Sequence, residues 1–319
     1  LMAGWDYRYQ EFKRSSVPGK SQQMFGMFLQ DEYRLDMFSV YSALRFDKVE
    51  NIKGVFSPKL AVLYNPVGFF KIRGSFGKGF SAPSLQELYE KGAGHGGRAY
   101  RFGNENLKPE YSYSSTLNTE LQIHNDLEVS LYGYYSKIDN MITPVYDGPW
   151  EEDPTKYKWV RTNIYEAKIF GYEASTLFQF ADWGRFKAGY TYTDNENTLT
   201  NEQLPYYPGR SLFGRLMYNL RISDNVLGKG FVSLKAVRDR SAWSWKPADD
   251  VAPDNMEGHI TELKDYELLN AGMSFQFKNH YKLYINIQNI LSQNIERLDD
   301  LYTVIKGEPV FKGGFKYHF

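Results

Sequence analysis

The side chains best equipped for chemistry fall in two stretches of the 319-residue sequence. The first is EKGAGHGGRAYRF, residues 90–102. It offers the imidazole of His95 and the guanidinium forks of Arg98 and Arg101, which pair with carboxylates. Tyr100 adds a stacking face and a hydroxyl. Gly92, Gly94, Gly96, Gly97 and Gly103 let the backbone approach a ligand closely. The second stretch, residues 240–265, carries Trp243, Trp245 and His259. Exposed tryptophans mark recognition surfaces, although the same rings can simply pack a loop against its neighbours. Two acidic clusters, Glu151-Glu152-Asp153 and Asp249-Asp250, hold oxygens of the kind that bind calcium; solvated loop charge is the simpler reading of both. His124, His280 and His318 fall at short turns or at the chain end and read as structural or solvated. Gly77 and Gly79 form a Gly-x-Gly inside a strand, with no helix expected after it, so they are not a phosphate cradle. No paired acid and base or activated nucleophile emerges. The chemistry on offer is recognition, and the expectation is a binding or transport protein, not an enzyme.

Composition narrows the class. Lys plus Arg equals Asp plus Glu at 38 each, which argues against a nucleic-acid binder. With no cysteine, disulfide frameworks, thiolate zinc sites and cysteine nucleophiles are excluded. Aromatics reach 17% while mean hydropathy is −0.54. A soluble core does not need that many rings; a surface that is apolar outside and wet inside does. No run of eighteen apolar residues offers a transmembrane helix, and no signal peptide is readable. The chain opens on what already reads as a strand, AGWDYRYQEF, so a front portion is expected to be missing.

The elements that must position those loops repeat with period two. Tyr281, Leu283, Ile285 and Ile287 alternate with Lys282, Tyr284 and Asn286. Leu269, Ala271, Met273, Phe275 and Phe277 alternate with Asn270, Gly272, Ser274 and Gln276. Fourteen such segments are predicted, near residues 3–14, 22–35, 37–47, 55–64, 68–80, 111–123, 126–138, 167–180, 185–193, 210–220, 229–239, 266–277, 280–290 and 311–319. Ten residues at ~3.3 Å each, tilted by roughly 45°, rise about 23 Å, close to the ~25 Å apolar band of an outer-membrane barrel.

The connections alternate too. Short ones at Asp36, 65–67, 124–125, 181–184, 221–228 and 278–279 are interleaved with mostly long ones at 81–110, 139–166, 194–209, 240–265 and 291–310. A transmembrane barrel requires this, with short periplasmic turns and long extracellular loops. A soluble sandwich or jelly roll shares the alternation but has no reason to keep its long loops at one end. The expected fold is all-β, a transmembrane antiparallel β-barrel, with rings such as Phe69-Phe70, Phe80 and Tyr134-Tyr135 at strand ends forming aromatic girdles.

On that frame, IRGSFGKGFSAPSLQELY (72–89) followed by GNENLKPEYS (103–112) resembles the paired boxes of TonB-dependent outer-membrane receptors. NIYEAKIFGYEAS (163–175), YELLNAGMSF with LYINIQNILSQ (266–293) and the terminal GFKYHF are similar to later segments of that family. The resemblance covers roughly residues 60–319. Ser81 stands where arginine is usual, and GNENL replaces a proline-containing form; both departures bear on the subfamily. The resemblance implies a twenty-two-stranded plugged barrel. Residues 1–319 would then be its C-terminal barrel part, with the plug and first strands absent. It also implies a Gram-negative outer-membrane location among lipid and lipopolysaccharide, coupling to the TonB complex through the absent plug, and no nucleic-acid partner.

The implied function is active uptake of a scarce metal chelate, an iron-siderophore or haem carried as cargo rather than as a resident cofactor. Haem receptors of the family place a histidine between these boxes, which implies His95 as a candidate haem ligand, as neutral imidazole; a polar residue on a flexible loop is the plainer reading of a lone histidine, and the loop does not fix the ligand. Arg98 and Arg101 would meet ligand carboxylates. Cobalamin is the alternative cargo, and a passive porin or a surface adhesion barrel the alternative class.

Overall fold

The computed structural model describes the chain apart from residues 15–16, 94–98, 165, 199–200, 205, 245–258, 279, 298–302, 306 and 318–319. Strands β1 (Met2–Arg14), β2 (Val17–Leu35), β3 (Phe38–Val49), β4 (Val55–Val67) and β5 (Phe70–Ser81) come first. A five-residue helix, α1 (Leu85–Tyr89), and two loop strands, β6 (Lys91–Ala93) and β7 (Ala99–Phe102), precede β8 (Glu110–His124) and β9 (Leu127–Asp139). Loop strands β10 (Ile142–Trp150) and β11 (Asp153–Asn163) lead to β12 (Glu166–Ala181), β13 (Gly184–Asn197), β14 (Arg210–Ser223) and β15 (Val226–Arg238). Then follow β16 (Arg240–Ser244), β17 (His259–Leu263), β18 (Tyr266–Phe277), β19 (Tyr281–Gln288), β20 (Ile295–Arg297), β21 (Thr303–Ile305) and β22 (Val310–Tyr317).

Fourteen of these strands form one antiparallel sheet in the order β1-β2-β3-β4-β5-β8-β9-β12-β13-β14-β15-β18-β19-β22. Each pairs with its sequence neighbour in the sheet, so the wall is a run of hairpins. Among the described residues β1 and β22 do not pair with each other. The predicted segments and the observed strands coincide one for one.

Register explains the two faces, because directly paired residues of an antiparallel sheet share a side. One row runs Leu212, Ala236 on β14 and β15; the next runs Phe186, Leu216, Val232, Ala271, Ile287, Phe311 across six strands. On this side Leu216 is 44% exposed, Ile285 47% and Phe76 52%. Fully buried apolar residues such as Val49, Leu85 and Leu107 are few and sit near loop ends. A greasy face of this extent is stable only against lipid. The other face is polar and laced by hydroxyl pairs: Ser75 with Thr116 at 2.6 Å, Ser114 with Ser136 at 2.9 Å and Ser130 with Ser175 at 2.7 Å. Aromatic pairs cluster near the short turns, as in Phe38–Tyr64 at 4.6 Å and Phe180–Trp183 at 5.4 Å. Phe46–Phe56 at 5.0 Å and Tyr172–Tyr192 at 5.3 Å do the same toward the long loops.

Two expectations are corrected. A helix does follow β5: Ser84 Oγ accepts from the Glu87 backbone N–H at 3.2 Å, and Glu87 Oε2 accepts from the Ser84 N–H at 2.8 Å. This capping box starts α1 at Ser84-x-x-Glu87. Gly77 and Gly79 still lie within β5, away from the helix start. The turn predicted across 221–228 is also shorter, because β14 runs to Ser223 and β15 begins at Val226.

Candidate functional site

The long connections all leave one end of the sheet, and two of them interlock there. In the first, α1 docks on the segment that follows β7. The Gly103 N–H donates to the Glu90 carbonyl at 2.6 Å, and the Asn104 N–H donates to the Glu87 carbonyl at 2.9 Å. A Cβ on Gly103 would lie 2.5 Å from backbone atoms of Leu88 and Tyr89, so only glycine permits this approach. Arg14, at the end of β1, donates to Glu90 Oε1 at 3.0 Å and ties the helix to the wall. Asn163, at the end of β11, accepts from the Lys108 N–H at 2.8 Å and donates to the Lys108 and Asn140 carbonyls at 3.0 and 2.7 Å. The two sequence boxes and the next loop are thereby one hydrogen-bonded unit.

That unit carries a second sheet, β10-β11-β7-β6. Its central pair is parallel: Tyr157, Lys158, Trp159 and Val160 of β11 face Ala99, Tyr100, Arg101 and Phe102 of β7. The register of β10 on β11 shifts between Tyr146 and Pro149, at Gly148, whose φ of +84° favours glycine. The shift brings Trp150 onto Tyr100, stacked at 4.0 Å and 14°, with Phe102 at 5.8 Å from Tyr100 and 6.1 Å from Trp150. Lys156 Nζ lies 5.6 Å from the Tyr100 ring and 5.7 Å from Trp150; Lys158 Nζ lies 6.0 Å from Phe102. Asp153 holds Lys156 at 2.9 Å and Asp147 holds Lys158 at 2.8 Å. Hydrogen bonding to these carboxylates pushes both lysines above their ordinary values, so both stay charged at any physiological pH. The result is a half-buried aromatic ledge rimmed by fixed ammonium groups, an arrangement that offers stacking faces beside positive charge.

Of the expected site residues, Tyr100 is in this ledge and Arg101 is beside it on β7, opposite Trp159 and Gly92. His95 and Arg98 belong to the β6–β7 connection and lie outside the described residues, as does Trp245. The backbone of Trp243 pairs with Ile260, and that of His259 with Ser244, in the β16–β17 hairpin. Arg240 anchors that hairpin to the next loop by donating to the Glu296 carbonyl at 2.7 Å. Asp153 of the first acidic cluster is engaged by Lys156. Asp249-Asp250 lie outside the described residues, among which no group of three acidic or histidine side chains is placed to hold a metal. Trp150, Phe102, Lys156 and Lys158 were not anticipated. Their partners are about fifty residues away in the chain, beyond any local pattern.

Residues 2–290 match the family described as TonB dependent receptor-like, beta-barrel. The chain belongs to the TonB-dependent receptors. This is a family of outer-membrane receptors and transporters, and the wall described above has the fold of their barrels. The receptor is similar to the iron-regulated outer membrane virulence protein of Vibrio cholerae, 29% identical over 199 residues that cover 59% of this chain and 30% of that protein. It is also similar to the vitamin B12 transporter BtuB of Photobacterium profundum, 27% identical over 195 residues, 56% of this chain and 30% of that one. Its fold matches the siderophore receptor PirA from Pseudomonas aeruginosa with a TM-score of 0.72 at 14% identity, covering 99% of this chain and 52% of that chain. The matched region thus spans about half or less of each relative.

Proposed function

We propose that residues 1–319 are the C-terminal barrel part of a plugged outer-membrane receptor that takes up an iron chelate, siderophore or haem, in a TonB-dependent manner. The observation that carries this reading is the Tyr100–Trp150–Phe102 ledge with Lys156 and Lys158, built at the long-loop end from the segment between the two family boxes and from the next long loop. Porphyrins and catecholates are flat and conjugated, and a stacked ledge receives them by their faces. His95 and Arg98 continue from the ledge along the chain. In this reading His95 ligates haem iron, and Arg98 and Arg101 meet ligand carboxylates. Trp243, Trp245 and His259 contribute from the 240–265 loop. The energy enters through TonB and the plug, and lipid and lipopolysaccharide surround the wall. Calcium on the loop carboxylates would brace the loops without entering transport. Cobalamin is the alternative cargo, favoured by the likeness to BtuB.

The test is growth of an iron-starved host with haem or a ferric catecholate as sole iron source, alongside tryptophan-fluorescence titration of the purified full-length receptor. Trp150→Ala and Tyr100→Ala are each expected to weaken chelate binding about tenfold or more. His95→Ala is expected to abolish haem binding while sparing catecholates. Wild-type affinity in both ledge variants overturns the reading, and binding of cobalamin alone replaces it.

A further inference from the structure

On the outward face of the sheet, cations keep to one end. Paired residues share a side, so the exposed Phe76, Leu216 and Ile285 fix which positions of each strand point outward. Among the described residues, each outward Lys or Arg lies within three residues of the long-loop end of its strand, as Lys48 does on β3, Lys78 on β5 and Lys137 on β9. The short-turn half of the same face carries none. Lipid of one composition would ask the same of both ends, so this asymmetry points to a negatively charged leaflet on the long-loop side.

Most of these cations are answered within the wall. Lys137 is held by Glu166 at 2.6 Å and Asp139 at 3.3 Å, and Lys168 by Glu166 at 3.3 Å. Lys48 donates to the Ile52 carbonyl at 2.6 Å. Lys78 differs: among the described residues no carboxylate pairs with it. Its Nζ lies 5.1 Å from the centre of the Tyr111 ring and 6.0 Å from that of Tyr113. Both rings stand beside it on the outward side of β8, with Tyr113 directly opposite in register. Lys78, Tyr111 and Tyr113 line a cleft of about 340 Å³ that reaches across β5 to Gly54, Val55 and Phe56 at the start of β4. Phe56 is 58% exposed there.

Depth decides what meets this cleft. Lys78 stands three residues before Ser81, the last of β5, which is roughly 10 Å of strand. Its ammonium, carried on a flexible stem, therefore reaches the lipid headgroups and not the hydrocarbon. A lone cation at that level attracts an anionic headgroup. The bodies of the three rings suit acyl chains, and the tyrosine hydroxyls are donors for an oxyanion.

We propose that this cleft seats one lipopolysaccharide molecule of the outer leaflet, with a phosphate of its lipid A on Lys78 between Tyr111 and Tyr113 and an acyl chain along Phe56. The proposal rests on the reading above only in placing the long loops at the cell surface. The experiment is native mass spectrometry of the full-length receptor in detergent, titrated separately with diphosphoryl lipid A, dephosphorylated lipid A, phosphatidylglycerol and inorganic phosphate. Retention of diphosphoryl lipid A in preference to the other three is expected. Lys78→Gln is expected to weaken that retention about fivefold, and Lys78→Arg to keep it. Lys59→Gln, beside Gly77 on the inner face, is expected to leave it unchanged. The proposal is overturned if Lys78→Gln holds lipid A as wild type does, if dephosphorylated lipid A binds equally well, or if phosphatidylglycerol or phosphate alone binds as tightly, which would make the cleft a general anion seat. Chelate binding is expected to survive Lys78→Gln, and lipid A retention to survive Trp150→Ala, so the lipid site and the uptake reading fail separately.

Discussion

Arg45 on β3 and Arg215 on β14 occupy the same polar face of one sheet, and their surroundings differ. Arg45 lies between two carboxylates, Asp6 at 2.9 Å and Asp47 at 2.7 Å. Arg215 faces an aromatic ring and no carboxylate. Nearby on the first half, Arg34 pairs with Glu32 at 2.8 Å and Lys71 approaches Glu120. On the second half Arg185, Lys229 and Lys282 form no ion pair among the described residues. The opposite face is uniform from one edge to the other, because lipid imposes the same demand on every strand. The inner face is held to no such rule, so the two halves differ there in how their cations are answered.

The contrast can be strained from both sides. The largest effect is expected where the uniform face is broken. Leu216→Arg, outward and mid-strand on β14, should cost about 2–4 kcal/mol in urea unfolding from lipid vesicles. Met217→Arg, one residue along and inward, should cost far less; equal losses would mean that both faces meet the same medium. Next comes removal of the central cation from each half. Arg45→Met leaves Asp6 and Asp47 facing each other and should destabilise by about 1 kcal/mol or less, given its partial exposure. Arg215→Met relieves repulsion and should leave stability unchanged or slightly higher, so a comparable loss there would remove the distinction between the halves.

The smallest effect is set by pH, at a neutralised place in the second half. Arg210 and Asp239 pair at its long-loop end, with Nη2 donating to Oδ1 at 2.8 Å. The Arg210 guanidinium holds the Asp239 carboxyl below the usual carboxylate range. Its folded value lies under its unfolded one, so the pair contributes fully above the ordinary carboxylate pKa of about 4 and less as pH falls through the folded value. Amide protection factors at the β14–β15 loop end should therefore fall below about pH 4, and Asp239→Asn should remove that dependence.

The wall was legible because each strand announces itself locally. Tyr281 to Ile287 alternates without help from any other part of the chain, and β19 is where that alternation places it. Lipid on one side enforces the period strictly. The helix was legible too, through Ser84 and Glu87, but its capping box sat beside a strand pattern that drew the eye past it. The ledge was half visible. Tyr100 could be picked out as a ring in a glycine-rich loop, whereas Trp150 reaches it only because β11 lies parallel to β7 and β10 shifts register at Gly148. Neither event leaves a mark near residue 100. The inward cations of the second half were hidden for a related reason: each lysine or arginine looks like one more polar position, and only the register of β14, β15, β18 and β19 puts Arg215, Lys229 and Lys282 on one face.

The parallel ladder between residues 99–102 and 157–160 also fixes an order of events. Its two halves leave the wall on either side of the β8–β9 hairpin, so they cannot meet until β5, β8, β9 and β12 have docked side by side. Closing so long a span yields only four paired residues in return, which makes this ladder a late step in folding. The Tyr100–Trp150 stack that this ladder carries is therefore completed only after the wall strands flanking it are in place.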